Sequence, residues 1–142
     1  MLCVCAGIAD VIEEVLLQQG GGLTPHLHIV SNHMLWKDDH LVGFSKPSFH
    51  VFNKTAKSAK HSPFFQTHDL AHRDCLILVG DSLGDIAMSD GLTFHEDHII
   101  RIGYLNDKVE RLPEYLAAYD VVIVGDPSFQ FPMDLIKDVL SK

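Results

Sequence analysis

Two carboxylates sit where a buried strand should end. The stretch LILVGDSLGD, residues 76–85, runs from an apolar core into Gly80-Asp81-Ser82, and Asp85 follows one helical turn later. Hard oxygen donors at a strand end suit Mg²⁺, which takes one or two carboxylates together with waters and a substrate phosphate. Gly80 and Gly84 permit the tight backbone path such a site needs. The same residues can instead start a helix, with Asp81 or Ser82 as its cap and Asp85 favoured by the helix dipole. Spacing alone leaves both readings open.

Two further stretches carry chemistry-bearing residues. CAGIAD (5–10) reads as a small turn between strand and helix, whose exposed N–H groups favour an anion such as phosphate. An ordinary tight turn has the same pattern. Cys5 is not the nucleophile of a cysteine phosphatase loop, because position 11, where an arginine must clasp the phosphate, is Val11. Cys3, and equally Cys5, fits a core thiol. HVFNK (50–54) ends in Lys54, which can meet a phosphate as a point charge or simply be solvated. The ten histidines, His26, His28, His95 and His98 among them, form no zinc-ligand spacing. There is no P-loop, GxSxG or GxGxxG.

These residues need elements to position them. LCVCA reads as a strand, and Ile8, Val11, Ile12, Val15 and Leu16 recur at helical spacing until Gly20-Gly21-Gly22. LHIVS (27–31) reads as a second buried strand, and MLWKDDHLVGF as a hairpin turning at Lys37–His40. SFHVFNK reads as a short strand, and residues 55–73 as loop and helix. CLILVG is the clearest buried strand, followed by a short helix in DIAMSDG. IIRIG is another strand, with a helix expected from Asn106 to about Ala118. YDVVIVGD is the last strand and DLIKDVLSK the closing helix. Apolar strands alternating with helices predict an α/β fold with a mostly parallel sheet. Ligands bind such sheets beyond the carboxyl ends of the strands, where Cys5-Ala6-Gly7, Ser31-Asn32 and Gly80-Asp81-Ser82 fall.

Bulk properties narrow the partners. A chain of 142 residues, 46% apolar and 21% charged, suits one ordinary globular domain. Its net charge of −8 argues against nucleic acid or an anionic membrane as the partner. No apolar run approaches the ~18 residues of a membrane span, and the N-terminus has no basic n-region. Three cysteines, Cys3, Cys5 and Cys75, suggest reduced thiols and a cytoplasmic location.

The order of small turn, lysine and GDxxxD resembles that of the haloacid-dehalogenase-like phosphatases. The chain is most similar to their pyrimidine 5'-nucleotidase family (cytosolic 5'-nucleotidase type III and its 7-methylguanosine-phosphate-specific relative). CAGIADVIEEVL, IVSNHM, GFSKPSFHVFNK, LILVGDSLGDIAMSDG, RIGYLNDKVE and YDVVIV carry the resemblance, in collinear order over nearly the whole chain. HVFNK and YLNDKVE favour the nucleotidases over other phosphatases of the superfamily, such as a phosphoserine phosphatase.

The resemblance implies a Mg²⁺-dependent enzyme, a monomer when full-length, that removes the 5'-phosphate from nucleoside 5'-monophosphates, pyrimidine or 7-methylguanosine. An aspartate of a D-x-D pair attacks phosphorus, and the phosphoaspartate is then hydrolysed. Carried over residue by residue, it makes Cys5 the substrate-contacting position, where the family has serine. Ala6 supplies backbone beside it. Lys54 binds phosphate, Asp81 binds metal, and Asp85 lies in or next to the metal shell. A thiol is a weaker donor than a hydroxyl, so Cys5 weakens phosphate binding without abolishing it. No D-x-D occurs in the chain. Residues 1–142 are therefore expected to be the C-terminal portion of a haloacid-dehalogenase-like, Rossmann-like core. The nucleophile strand and helical cap are absent, two sheet edges are left unpaired, and turnover is lost. The alternative is a non-catalytic remnant that binds nucleotide or a protein partner.

Overall fold

The apolar runs read as strands pair in parallel. The computed structural model describes residues 1–19, 24–70, 72–126 and 128–141. It divides into two compact units, Met1–His72 with Ala87–Thr93, and Arg73–Ile86 with Phe94–Lys142. The expected glycine stop at 20–22 lies outside the described residues.

In the first unit, β1 (Leu2–Ile8) pairs in parallel with β2 (His28–Asn32). Between them in sequence runs α1 (Ala9–Gln18). Ala9 is fully buried, and Ile12 and Leu16 are partly buried one and two turns on. Val11 and Val15, expected on the same stripe, are about half exposed (51% and 49%), so the inward face is narrower than the periodicity suggests. The hairpin forms as expected, from β3 (Met34–Lys37) and β4 (His40–Phe44). Asp38 and Asp39 make its two-residue turn at φ 48° and 59°, a left-handed path that aspartate tolerates. Two short helices follow, α2 (Ala56–Ala59) and α3 (Pro63–Thr67). Val30, Phe49 and Ala59 form the core of this unit, with Leu2, Phe64 and Phe65 packed against it.

The second unit is a parallel sheet in the order β5 (Leu76–Gly80), β6 (Ile99–Leu105), β7 (Val121–Val124). The central strand is the most buried, with Ile102 at 0% and Leu105 at 2% exposure, as near-continuous apolar strands require. Leu83–Ser89 is a 3-10 segment that leads out of β5. Two further helices complete the fold, α4 (Leu112–Leu116) and α5 (Gln130–Leu140).

Four expectations are corrected. SFHVFNK is not a strand: residues 51–53 are a turn, because the side chains of Asn32 and Asn53 take the backbone donors that a ladder would use. Cys5-Ala6-Gly7 does not separate β1 from α1 but bulges within β1, whose register with β2 slips between Val4 and Ile8. The helix expected over 106–118 shrinks to α4, since Lys108 turns left-handed at φ 55° and only a 3-10 turn precedes Leu112. The closing helix starts at Gln130, before Asp134, because Pro132 lies in the first turn, where a missing N–H costs nothing.

Asp10, in the first turn of α1, accepts the backbone N–H of Met34 at 2.8 Å and so ties the hairpin to the helix. That bond holds its carboxyl below the ordinary carboxylate range. A depressed folded pKa stabilises above the unfolded value and ceases to do so as pH falls through the folded value. Wild type should therefore exceed Asp10→Ala in urea midpoint at neutral pH. The difference should shrink once pH drops below about 4.

Candidate functional site

In the first unit the site is built on the β1 bulge. A bulge turns carbonyls out of the ladder, and buried carbonyls need donors. Ser31 Oγ donates to the Gly7 carbonyl at 2.8 Å. Asn32 Nδ2 donates to the carbonyls of Ala6 (3.1 Å), Gly7 (3.0 Å) and Phe49 (2.9 Å). Asn32 Oδ1 accepts the Phe49 N–H at 2.7 Å. One buried amide thus fastens the Cys5–Gly7 bulge to the segment that leads to Lys54. The Cys5 sulfur accepts the Gly7 N–H at 3.2 Å, so a phosphate oxygen reaching this amide competes with a weak acceptor.

Lys54 is held by its two neighbours. Asn53 accepts the His50 N–H at 2.7 Å and donates to the Ser48 carbonyl at 2.9 Å. Thr55 caps α2, its Oγ1 accepting the Ser58 N–H at 3.1 Å. Lys54 is half-buried. Burial and the neighbouring Cys5 push the Cys3 thiol up, and the Lys54 charge works against that rise, so the ammonium is felt at β1.

In the second unit the site is the turn after β5. The last ladder pair is Gly80 with Gly103. Asp81 and Ser82 therefore have four backbone polar groups without strand partners. Asp85, 1% exposed, accepts both N–H groups on Oδ2 at 3.0 Å. The Tyr115 hydroxyl donates to the Asp81 carbonyl at 2.7 Å, and the Tyr119 hydroxyl to the Ser82 carbonyl at 2.5 Å. Two glycines make room. A Cβ on Gly80 would lie 2.4 Å from the Asp85 Cβ, and one on Gly103 2.6 Å from the Tyr119 ring. Burial pushes the Tyr119 phenol well up, aided by the charge of Asp85, so the hydroxyl stays a donor. The Asp81 carboxylate itself is exposed.

The donor set fits Mg²⁺ in part. Asp81 offers one hard oxygen donor on a fixed turn, and a site for Mg²⁺ can leave its other positions to waters and substrate oxygens. Among the described residues no three His, Cys, Asp or Glu side chains cluster to hold a metal. The expected residues thus form two sets. Cys5, Ala6 and Lys54 belong to the first unit, Asp81 and Asp85 to the second. Sequence reasoning missed the roles of Asn32, Tyr115 and Tyr119. An asparagine closing an apolar strand, and two tyrosines one turn apart in YLAAY, were the available signals.

Two substitutions test this construction by urea unfolding. Asn32→Ala strips partners from the buried N–H and C=O of Phe49 and from the part-buried Ala6 carbonyl, and should cost about 2–4 kcal/mol. Gly80→Ala forces Asp85 off the turn and should cost about 1–3 kcal/mol.

Similarity to known proteins accords with these motifs. The family model of pyrimidine 5'-nucleotidase (UMPH-1) matches residues 1–140. The chain is 39% identical over 139 residues to 7-methylguanosine phosphate-specific 5'-nucleotidase B of Xenopus laevis, covering 96% of this chain and 47% of the relative. It is 38% identical over 137 residues to the Homo sapiens 7-methylguanosine phosphate-specific 5'-nucleotidase, covering 95% and 44%. The crystal structure of cytosolic 5'-nucleotidase IIIB bound to cytidine superposes with a TM-score of 0.81 at 34% identity, over 96% of this chain and 45% of that one. The chain spans somewhat less than half the length of these relatives. Matched along almost its whole length, it belongs to the pyrimidine 5'-nucleotidase family.

Proposed function

We propose that this chain supplies the phosphate-binding and metal-binding half of a Mg²⁺-dependent 5'-nucleotidase. Its substrates are nucleoside 5'-monophosphates, pyrimidine or 7-methylguanosine, and its fold is the C-terminal part of a haloacid-dehalogenase-like core. The observation that carries this reading is the turn after β5. An exposed Asp81 carboxylate stands on a backbone whose amides are held by buried Asp85. The family match and the names of the relatives support the same class of reaction.

In this reading Lys54 neutralises charge on the phosphate, and the Cys5–Gly7 bulge offers backbone to its oxygens. Asp81 ligates the metal directly. Asp85 lies next to the metal shell and acts through the turn. Mg²⁺ held at Asp81 would withdraw charge from the phosphoryl group being transferred. The attacking carboxylate comes from a D-x-D pair, which none of the 142 residues forms. That lack favours a second reading for the chain by itself, a nucleotide binder without turnover.

Phosphate release from CMP and from 7-methyl-GMP in the presence of Mg²⁺ separates these readings. The chain alone should give none. Co-expressed with the N-terminal half of the Xenopus relative, it should gain hydrolysis that Asp81→Asn abolishes. Lys54→Met should weaken CMP binding to the chain by about tenfold or more, the usual worth of a charged contact. If the pair stays inactive while the chain binds CMP, the binder reading stands. Turnover by the chain alone overturns the missing-nucleophile proposal.

A further inference from the structure

We propose that Tyr115 and Tyr119 are positioning residues that preset Asp81 for a divalent cation. The inference rests on reading Asp81 as a metal ligand. Neither tyrosine carries a sequence motif for metal or phosphate chemistry, and neither is a ligand by this account. Their role follows from the backbone accounting of one turn.

Asp81 and Ser82 lie past the last rung of the β5–β6 ladder. Buried backbone groups outside a ladder must find other partners. Here all four do. Asp85 Oδ2 takes the two N–H groups, Tyr115 donates to one carbonyl, and Tyr119 donates to the other. The Ser82 carbonyl also accepts the Asp85 N–H at 2.9 Å, which closes the first turn of the 3-10 segment. The peptide plane between Asp81 and Ser82 is thereby held from both its N–H and its C=O side, and the planes before and after it from one side each. What the turn leaves exposed is the Asp81 side chain.

The tyrosines are themselves fixed. Their rings stack at 5.6 Å between centroids and 23° between planes. Both are buried, at 4% and 5% exposure. Gly103 lets the Tyr119 ring press on β6, with no space for a Cβ between them. The Arg111 guanidinium lies 5.9 Å over the Tyr115 ring and is itself paired with Glu114 at 2.9 Å. A ligand on a preset backbone loses less freedom on binding than one on a loose loop, and this is the gain the two hydroxyls supply.

The test removes only the hydroxyls, in Tyr115→Phe, Tyr119→Phe and the double variant of the same chain. Rings, stacking and volume are kept. Two readouts by NMR are compared: line broadening by Mn²⁺ at residues 80–83, and hydrogen exchange of the Asp81 and Ser82 amides. In wild type, Mn²⁺ should broaden residues 80–83. The double variant should need about tenfold more Mn²⁺, and each single variant should speed amide exchange at Asp81 and Ser82 about fivefold, with β6 unchanged. Equal Mn²⁺ affinity and equal exchange in the variants would overturn the inference. Should wild type show no local broadening, the ligand reading of Asp81 fails. Exchange alone then decides: faster turn amides keep the tyrosines as a clamp, and unchanged amides remove that role too.

Discussion

A buried carboxylate under the turn after β5 is the constraint on which the second unit's site depends. Taking Asp85 out of water is costly unless its charge is met by hydrogen bonds of good geometry. Two backbone amides meet it on one oxygen, at 3.0 Å each. That requirement reaches outward. Position 80 must lack a side chain, since a Cβ there would overlap Asp85. The segment after the turn must wind as a 3-10 helix, which brings Asp85 back beneath residues 81 and 82. Burial, with a smaller contribution from that charge, pushes the Tyr119 phenol up, and its hydroxyl donates to the Ser82 carbonyl. One acidic side chain thus constrains a glycine and the path of the segment that follows it.

The first unit solves the same problem with a neutral group. There the bulge in β1 leaves carbonyls facing inward, and the Asn32 amide supplies both donors and an acceptor. An amide can do this where a carboxylate cannot, because the orphaned groups include carbonyls as well as an N–H. Being neutral, it adds no charge of its own beside the segment that carries Lys54. At β5 the two amides go to one carboxylate and the two carbonyls to separate tyrosines, whereas at β1 a single side-chain amide meets both kinds of group.

Much of this was legible in the sequence where a single period or a single residue type decides the outcome. The buried strands at Leu76–Gly80 and Ile99–Leu105 are near-continuous apolar runs, and the hairpin turn is marked by adjacent aspartates. The candidate residues Cys5, Lys54, Asp81 and Asp85 stood out by type and order, while their expected roles came from the family resemblance. What failed depends on contacts distant in sequence. HVFNK has strand composition, yet Asn32, seventeen residues earlier, captures the Phe49 N–H and the segment turns instead. Val11 and Val15 fit a helical period, but periodicity says nothing about how wide a face the neighbours can cover. Tyr115 and Tyr119 act on carbonyls 34 and 37 residues away, a relation that no local pattern encodes.

The two local sites are each finished within their own unit. Every backbone group at the Asp81–Ser82 turn has its partner inside the second unit, and the Asn32 network closes inside the first. Preorganisation of this kind matters most when a reaction needs groups from separate pieces of structure, because each group that is already aimed removes one ordering cost from the moment of assembly. In both units that order is held by the buried hubs, Asn32 and Asp85, rather than by the charged groups near them.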